Sequence, residues 1–184
     1  MAGPVPQTPT VARDSAGLVE WLVDAVQARM SIITDYKHGI MVLDPSSGRV
    51  EPWLTHCFSE SFKGVNDLTF ALNGDLYFTD QGQTGSHDPS GRVYRVGGDG
   101  RIDCLISNGV SPNGIVLDPA DKVLFVAMTR ANCMWHAPLK PGGGVAKVGV
   151  FCVLPGMHGP DGLAMDAAGN LAVAHPRVRR SEEH

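Results

Sequence analysis

The chain has 184 residues, enough for one domain with a sizeable core. Its 43% hydrophobic and 18% charged residues are ordinary for a soluble chain, and its 22 Gly and 13 Pro suit a turn-rich β protein better than a helical one. A formal net charge of −4 gives no electrostatic reason to expect nucleic acid or an anionic membrane as partner, and no apolar run approaches the roughly 18 residues of a membrane span.

Residues 1–17 read as a flexible, Pro-rich lead. They have neither a basic start nor an apolar stretch of the secretory kind, so a cytoplasmic location is expected. Leu18, Leu22, Val26 and Met30 recur four apart with Glu20, Asp24 and Gln27 between them, which predicts a short amphipathic helix that Ser15 can cap. Strands are predicted over 31–35, 39–43 and 49–54, with Asp44-Pro45-Ser46-Ser47-Gly48 as the turn before the last. The same grammar returns: inner strands near 67–71, 114–118 and 162–166, second strands over 76–80, 123–127 and 170–174, then strands over 92–96, 102–106, 133–137 and 145–152. The residues from 176 on lack apolar alternation and read as a solvated tail, which leaves 18–175 as the folded domain.

Three stretches repeat one another. Asn66, Asn113 and Asp161 stand 47 and 48 residues apart, each at the entrance of a short apolar strand followed by a turn and a second strand. A period of this size, filled with short strands, is the signature of a propeller blade. The fold expected is all-β, a partial propeller of four-stranded antiparallel blades: two complete blades, part of one before them and half of one after. Its open sheet edges favour self-association. Cys57, Cys104 and Cys152 each lie nine residues before an entrance residue, so they occupy equivalent outer positions. Such positions lie too far apart for disulfides, and no CxxC pair suggests a metal site.

These repeats resemble the gluconolactonase, regucalcin and lactonase family of six-bladed propellers. The likeness is carried by Thr34-Asp35-Tyr36-Lys37-His38-Gly39-Ile40, Gly64-Val65-Asn66-Asp67-Leu68, Tyr77-Phe78-Thr79-Asp80-Gln81-Gly82-Gln83-Thr84-Gly85, Ser111-Pro112-Asn113-Gly114 and Gly159-Pro160-Asp161-Gly162-Leu163. It runs from about residue 32 to 175. The resemblance implies one divalent cation in the central channel, calcium first and zinc or manganese next, and hydrolysis of lactones of sugar acids or related esters. It implies Asn113 and Asp161 as metal ligands and Asn66 as a polar residue facing metal or substrate. The family's first-blade metal-binding glutamate, in a Glu-Gly-Pro setting, has no counterpart here, and its closing blades are also missing.

The chemistry of the residues agrees. Calcium takes six to eight oxygens from carboxylates, amide and backbone carbonyls and water. Such a cation polarises a lactone carbonyl, and Asp161 can serve as ligand and as general base toward the attacking water. Asp67, Asp80 and His87 complete the expected substrate-binding set with Asn66. Asp80, like Asp35 before it, closes a second strand, where its side chain reaches either the channel or the amides of a loop. His87 stands at the expected substrate mouth, where an exposed histidine without a role is the competing reading. Gln81 to Gly85 is Gly-rich but lacks the lysine and following helix of a phosphate loop. No Gly-x-Ser-x-Gly elbow occurs, and Thr84, Ser86 and Ser111 have no evident His and acid partners, so a serine esterase is not expected. Two function classes remain: a metal-dependent lactone hydrolase taking a small-molecule lactone, or a non-catalytic propeller segment that binds a partner.

Overall fold

The computed structural model describes residues 31–176. The predicted lead 1–17, the predicted helix 18–30 and the tail from 177 lie outside the described residues.

The described residues form fifteen strands in chain order. The first sheet is three-stranded: β1 (Ser31–Asp35), β2 (Gly39–Asp44) and β3 (Arg49–Leu54). A small hairpin comes next, β4 (His56–Cys57) and β5 (Glu60–Ser61). The second sheet runs β6 (Val65–Phe70), β7 (Leu76–Asp80), β8 (Gly91–Val96) and β9 (Ile102–Gly109). The third runs β10 (Pro112–Leu117), β11 (Val123–Met128), β12 (Cys133–Pro138) and β13 (Gly149–Val153). The last is the pair β14 (Leu163–Met165) and β15 (Leu171–Val173). All pairings are antiparallel, and consecutive strands pair, so each sheet is a meander. The inner strands β6, β10 and β14 lie side by side, and β1 packs on β6. This is the radial arrangement of propeller blades, here a partial propeller. Among the described residues no helix is long and apolar enough to cross a membrane.

Local chemistry explains the hairpins. The Asn73 side chain accepts the Asp75 amide at 3.0 Å, and Gly74 takes φ 86°, a left-handed value that costs glycine little. The third blade makes the equivalent turn with Asp118, whose carboxylate accepts the amides of Lys122 at 2.6 Å and Val123 at 2.7 Å. The fourth uses Asp166, which accepts from Ala168 at 2.9 Å and Asn170 at 2.8 Å, with Gly169 at φ 86°. Each turn sends the chain back antiparallel at the same radius.

Strand periodicity then places the core between blades rather than within one. Leu76, Phe78, Tyr94 and Val96 leave one face of the second sheet and pack with Ile40, Val42, Trp53 and Leu54 of the first. Tyr77, Val93 and Ile106 leave the other face and pack with Ile115, Leu117, Leu124 and Val126 of the third. Phe78 stacks on Tyr94 at 5.3 Å, and Phe62 meets both rings edge-on. The second sheet is thus a slab with a core on each side, and every residue of β7 is buried.

Two middle sheets of four strands, with three strands in the first and two in the last among the described residues, match the expected two complete blades, part of one before them and half of one after. The structure departs from the predicted elements in two places. The inner strands β6 and β10 start two residues earlier than expected, because backbone pairing reaches past the entrance residues. The predicted strand 145–152 forms only from Gly149, since residues 139–147 fold back on themselves: Lys140 N bonds Gly144 O at 2.7 Å, Ala146 N bonds Pro138 O at 2.8 Å, and Lys147 takes φ 51°. Cys104 and Cys152 lie on the outer strands β9 and β13. Cys57 lies on β4 instead, and all four cysteines are free.

Candidate functional site

The ladders break where the entrance residues stand. The β6–β7 register shifts between Val65 and Leu68, and the β10–β11 register shifts between Pro112 and Ile115. Asn66-Asp67 and Asn113-Gly114 therefore sit in irregularities that release them from strand pairing, a device that re-aims side chains. Asp161 lies just before β14, its amide bonded to Ala174 O at 2.8 Å.

Hydrogen bonds tie each entrance to the blade before it. Thr34 Oγ1 donates to Asn66 O at 2.6 Å, Thr79 Oγ1 to Asn113 O at 2.7 Å, and Thr129 Oγ1 to Pro160 O at 2.7 Å. Two further bonds join the inner strands directly: Gly114 N to Asp161 O at 3.0 Å and Ile115 N to Asp67 Oδ2 at 3.0 Å. The three entrances consequently lie in a row across neighbouring inner strands.

The side chains at these entrances differ in how far they are engaged. Asn113 is 9% exposed, and its amide makes no hydrogen bond among the described residues. Asn66 donates Nδ2 to Gln81 Oε1 at 3.1 Å, which leaves its own oxygen without a partner there. Asp161 is exposed and its carboxylate is likewise unengaged. Asp67 is different: Oδ1 accepts the Leu68 amide at 2.9 Å and Oδ2 the Ile115 amide. It stitches two blades together.

Asp80 is fully buried. Its Oδ1 accepts the amides of Lys63 at 2.8 Å and Gly64 at 2.6 Å, while Oδ2 has no partner. Burial pushes its carboxyl up, although the bonds from Gly64 and Lys63 pull the other way. Asp35, its counterpart one blade earlier, is half-buried in a turn and accepts His38 N at 2.7 Å and Lys37 N at 2.9 Å. The backbone bond from His38 leads the effects that hold its carboxyl below the usual range. Both aspartates gather loop amides, one in a dry setting and one in a wet one.

Beside the row of entrances opens a cleft of about 450 Å³. Tyr36, Gln81, Thr84, His87, Ser111 and Arg130 are among its lining residues. Gln81 spans two blades, accepting from Asn66 and donating Nε2 to Ser111 Oγ at 2.8 Å. Ser111 is buried and holds φ 58°, an unfavourable value for a residue with a Cβ. Three bonds hold it there: its amide to Thr84 Oγ1 at 3.1 Å, its carbonyl from Thr129 N at 3.1 Å, and its hydroxyl from Gln81. His87 is exposed in the loop on the cleft's rim. Of these, sequence reasoning placed only His87 at a substrate mouth. A signal for Ser111 existed, because it stands where the other entrances carry Gly64 and Gly159. Tyr36 and Gln81 lie inside stretches that carry the family resemblance but were assigned no role, and Arg130 was not singled out.

The donor chemistry suits a hard cation. Asn66 and Asn113 offer amide oxygens and Asp161 a carboxylate, all free of protein partners among the described residues. No group of three or more His, Cys, Asp or Glu that could hold a metal occurs among those residues.

The family model described as SMP-30/gluconolactonase/LRE-like region matches residues 13–183. The lactonase drp35 of Staphylococcus aureus is 36% identical over 116 residues, covering 60% of this chain and 35% of that protein. A strictosidine synthase-like protein of Arabidopsis thaliana is 28% identical over 153 residues, covering 77% and 37%. A gluconolactonase from Xanthomonas campestris superposes with a TM-score of 0.67 at 21% identity, covering 79% of this chain and 52% of that one. A regucalcin from Agrobacterium tumefaciens, described as a calcium-binding protein, gives 0.60 at 22%, covering 79% and 50%. At these identities the two solved structures speak for the fold. The matched region spans 35% of the length of the drp35 lactonase.

Proposed function

The chain belongs to the SMP-30/gluconolactonase/LRE-like family, and from that premise we propose that it is a metal-dependent hydrolase of lactones of sugar acids or related esters, working on a soluble small molecule in the cytoplasm. The observation that carries the reading is the row of entrances at Asn66, Asn113 and Asp161, whose side-chain oxygens are unengaged beside a polar cleft. Asn113 and Asp161 would hold a divalent cation, calcium by the character of the donors, with zinc and manganese as the other candidates. When bound, the cation would polarise the substrate carbonyl.

The chain's own residues account for the rest. Asp161, exposed and free of other bonds, takes the proton from the attacking water as general base. The Asn66 amide is oriented by Gln81, which leaves its oxygen for substrate hydroxyls or the cation. His87 lines the mouth through which the lactone enters. Asp67 and Asp80 act at one remove. Asp67 keeps Asn66 and the third inner strand in register, and Asp80 folds the 63–64 backbone beneath Asn66.

The test is aldonolactone hydrolysis by the full chain with and without added Ca²⁺, Zn²⁺ and Mn²⁺, with metal binding followed by calorimetry. Asp161→Asn should lower kcat by about 10²–10⁴-fold, the usual contribution of a general base. Activity that is absent, or that does not depend on metal, would sink the hydrolase reading. A second reading, a non-catalytic segment that binds a partner, is favoured by the apolar outer strand β13. Its Val150, Phe151 and Val153 are 56%, 54% and 73% exposed.

A further inference from the structure

The cleft has a charge character that the proposed hydrolysis does not by itself require. Among the described residues no aspartate or glutamate lines it, and Arg130 is the only permanently charged lining residue. That guanidinium forms no ion pair among the described residues. The neighbouring hydroxyls are biased toward donation. Gln81 Nε2 donates to Ser111 Oγ, and Gln83 Nε2 donates to Tyr36 Oη at 2.9 Å. Each of these hydroxyls therefore has a lone pair occupied and a proton of its own to donate; Tyr36 is exposed to a ligand, whereas Ser111 is buried beside the cleft. An exposed, unpaired arginine beside a tyrosine hydroxyl with a proton to donate, and no carboxylate among the described lining residues, is the complement of an anion.

Arg130 is also held in place. It is the middle residue of a single 3-10 turn, Thr129–Ala131. Thr129 N bonds Ser111 O at 3.1 Å and Thr129 Oγ1 bonds Pro160 O, which fixes the turn's start to two blades. Asn132 closes it at φ 52°, with Nδ2 bonding Leu154 O at 2.6 Å and Gly156 O at 2.8 Å. The Arg130 stem thus leaves a backbone anchored on both sides, within the same bond network as Ser111, two residues before Asn113. An arginine on an anchored turn loses less freedom on binding than one on a loose loop.

We infer that this cleft selects substrates bearing an anionic group outside the scissile ring, a carboxylate or a phosphate, and that Arg130 is the residue that reads it. The inference rests on the hydrolase reading for the identity of the ring, and on the cleft alone for the anion. At about 450 Å³ the cleft has room for a small acid carrying such a ring.

The test has two arms. In the first, calorimetry on the full chain follows binding of 2-hydroxyglutarate and, separately, of inorganic phosphate. Arg130→Ala should weaken the bound anion by at least about tenfold, as loss of a charged hydrogen bond does, and Arg130→Lys should restore part of it. Whichever of the two anions depends on Arg130 identifies the source, carboxylate or phosphate. In the second, kcat/KM is measured for 5-oxotetrahydrofuran-2-carboxylate and for its neutral carboxamide. The ratio of the two should fall about tenfold in Arg130→Ala. If neither anion binds at millimolar concentration, or binding is the same in Arg130→Ala, the inference is overturned. An unmoved kcat/KM ratio with active enzyme overturns it too, while leaving the hydrolase reading intact. Arg130-dependent anion binding without any lactone hydrolysis has the opposite meaning: the anion site stands and the hydrolase reading falls.

Discussion

Two of the joints between successive blades are built by different chemistry. Between the second and third blades the contacts are made by side chains. Asp67 Oδ2 accepts the Ile115 amide, while Thr79 Oγ1 accepts the Asp67 amide at 3.1 Å and donates to Asn113 O. Between the third and fourth blades the inner strands meet backbone to backbone, Gly114 N on Asp161 O. A Cβ at Gly114 would fall against that carbonyl oxygen and within 2.8 Å of Leu163 N. The position after the entrance residue is therefore a choice between reach and absence. A carboxylate spans a wider gap in one joint, and glycine permits a closer approach in the other. At these two positions the residue type matches how the inner strand meets the next blade.

The strongest way to break this contrast is Gly114→Ala. Neither clashing group is a flexible side chain, so the strand must move and the Gly114–Asp161 bond is lost. We expect a cost of about 3 kcal/mol, at the upper end of overpacking, and a thermal midpoint lower by about 6–12 °C. A melt unchanged within error would show that β14 carries no weight in the fold. Asp67→Ala comes next, because it strips an acceptor from the buried Ile115 amide and from Leu68. A loss of about 2–3 kcal/mol by denaturant titration is expected, with an unaltered m-value. Asp67→Asn keeps one of the two acceptor oxygens, so it should lose less, and an equal loss would show that both amide bonds are needed together.

Thr79→Val keeps shape and removes the hydroxyl that bridges Asp67 N to Asn113 O. Thr79 has no exposure, so water cannot substitute, and about 1–2 kcal/mol should be lost. Thr34→Val, at the equivalent but half-buried place, should cost less than about 1 kcal/mol, and a larger cost there would reverse the argument from burial.

The smallest effect concerns Asp80, which gathers the 63–64 amides in the second blade, where the third carries the buried Met128. Burial raises the folded Asp80 carboxyl, so the native state holds its proton more tightly than the unfolded chain does. Its contribution to stability is fully present below the unfolded carboxylate range and is lost as pH rises through the raised folded value. Asp80→Asn removes this titration. Wild-type stability relative to the variant should fall as pH climbs from about 4, and a difference that rises with pH would show that the amide bonds outweigh burial.

Much of this was legible in the residues themselves. The strands 31–35, 49–54 and 76–80 appear with the bounds expected from alternation and turn residues. The turns at Asn73-Gly74 and Asp118 form for the reasons their chemistry implies. The 47- and 48-residue spacing of Asn66, Asn113 and Asp161 located the row of entrances, because one period in sequence is one step around the axis. All of these depend on interactions within a few residues or on a repeat, which a one-dimensional string preserves.

What the string did not contain was which groups are free. Asp67 and Asp161 occupy neighbouring registers of the same motif, yet one carboxylate is engaged by an amide 48 residues away and the other is open. Asp35 and Asp80 close equivalent strands, yet their carboxyls shift in opposite directions because one turn is wet and the other dry. The cleft is assembled from Tyr36, the loop around Gln81, Ser111 and Arg130, which come from three blades and are brought together only by packing. Sequence alone settled the blade and its period, since propensity and patterning act locally. Which oxygens are left free, which acids are dry and where an anion could sit follow from packing one blade against the next, because desolvation and hydrogen-bond competition are decided by neighbours in space.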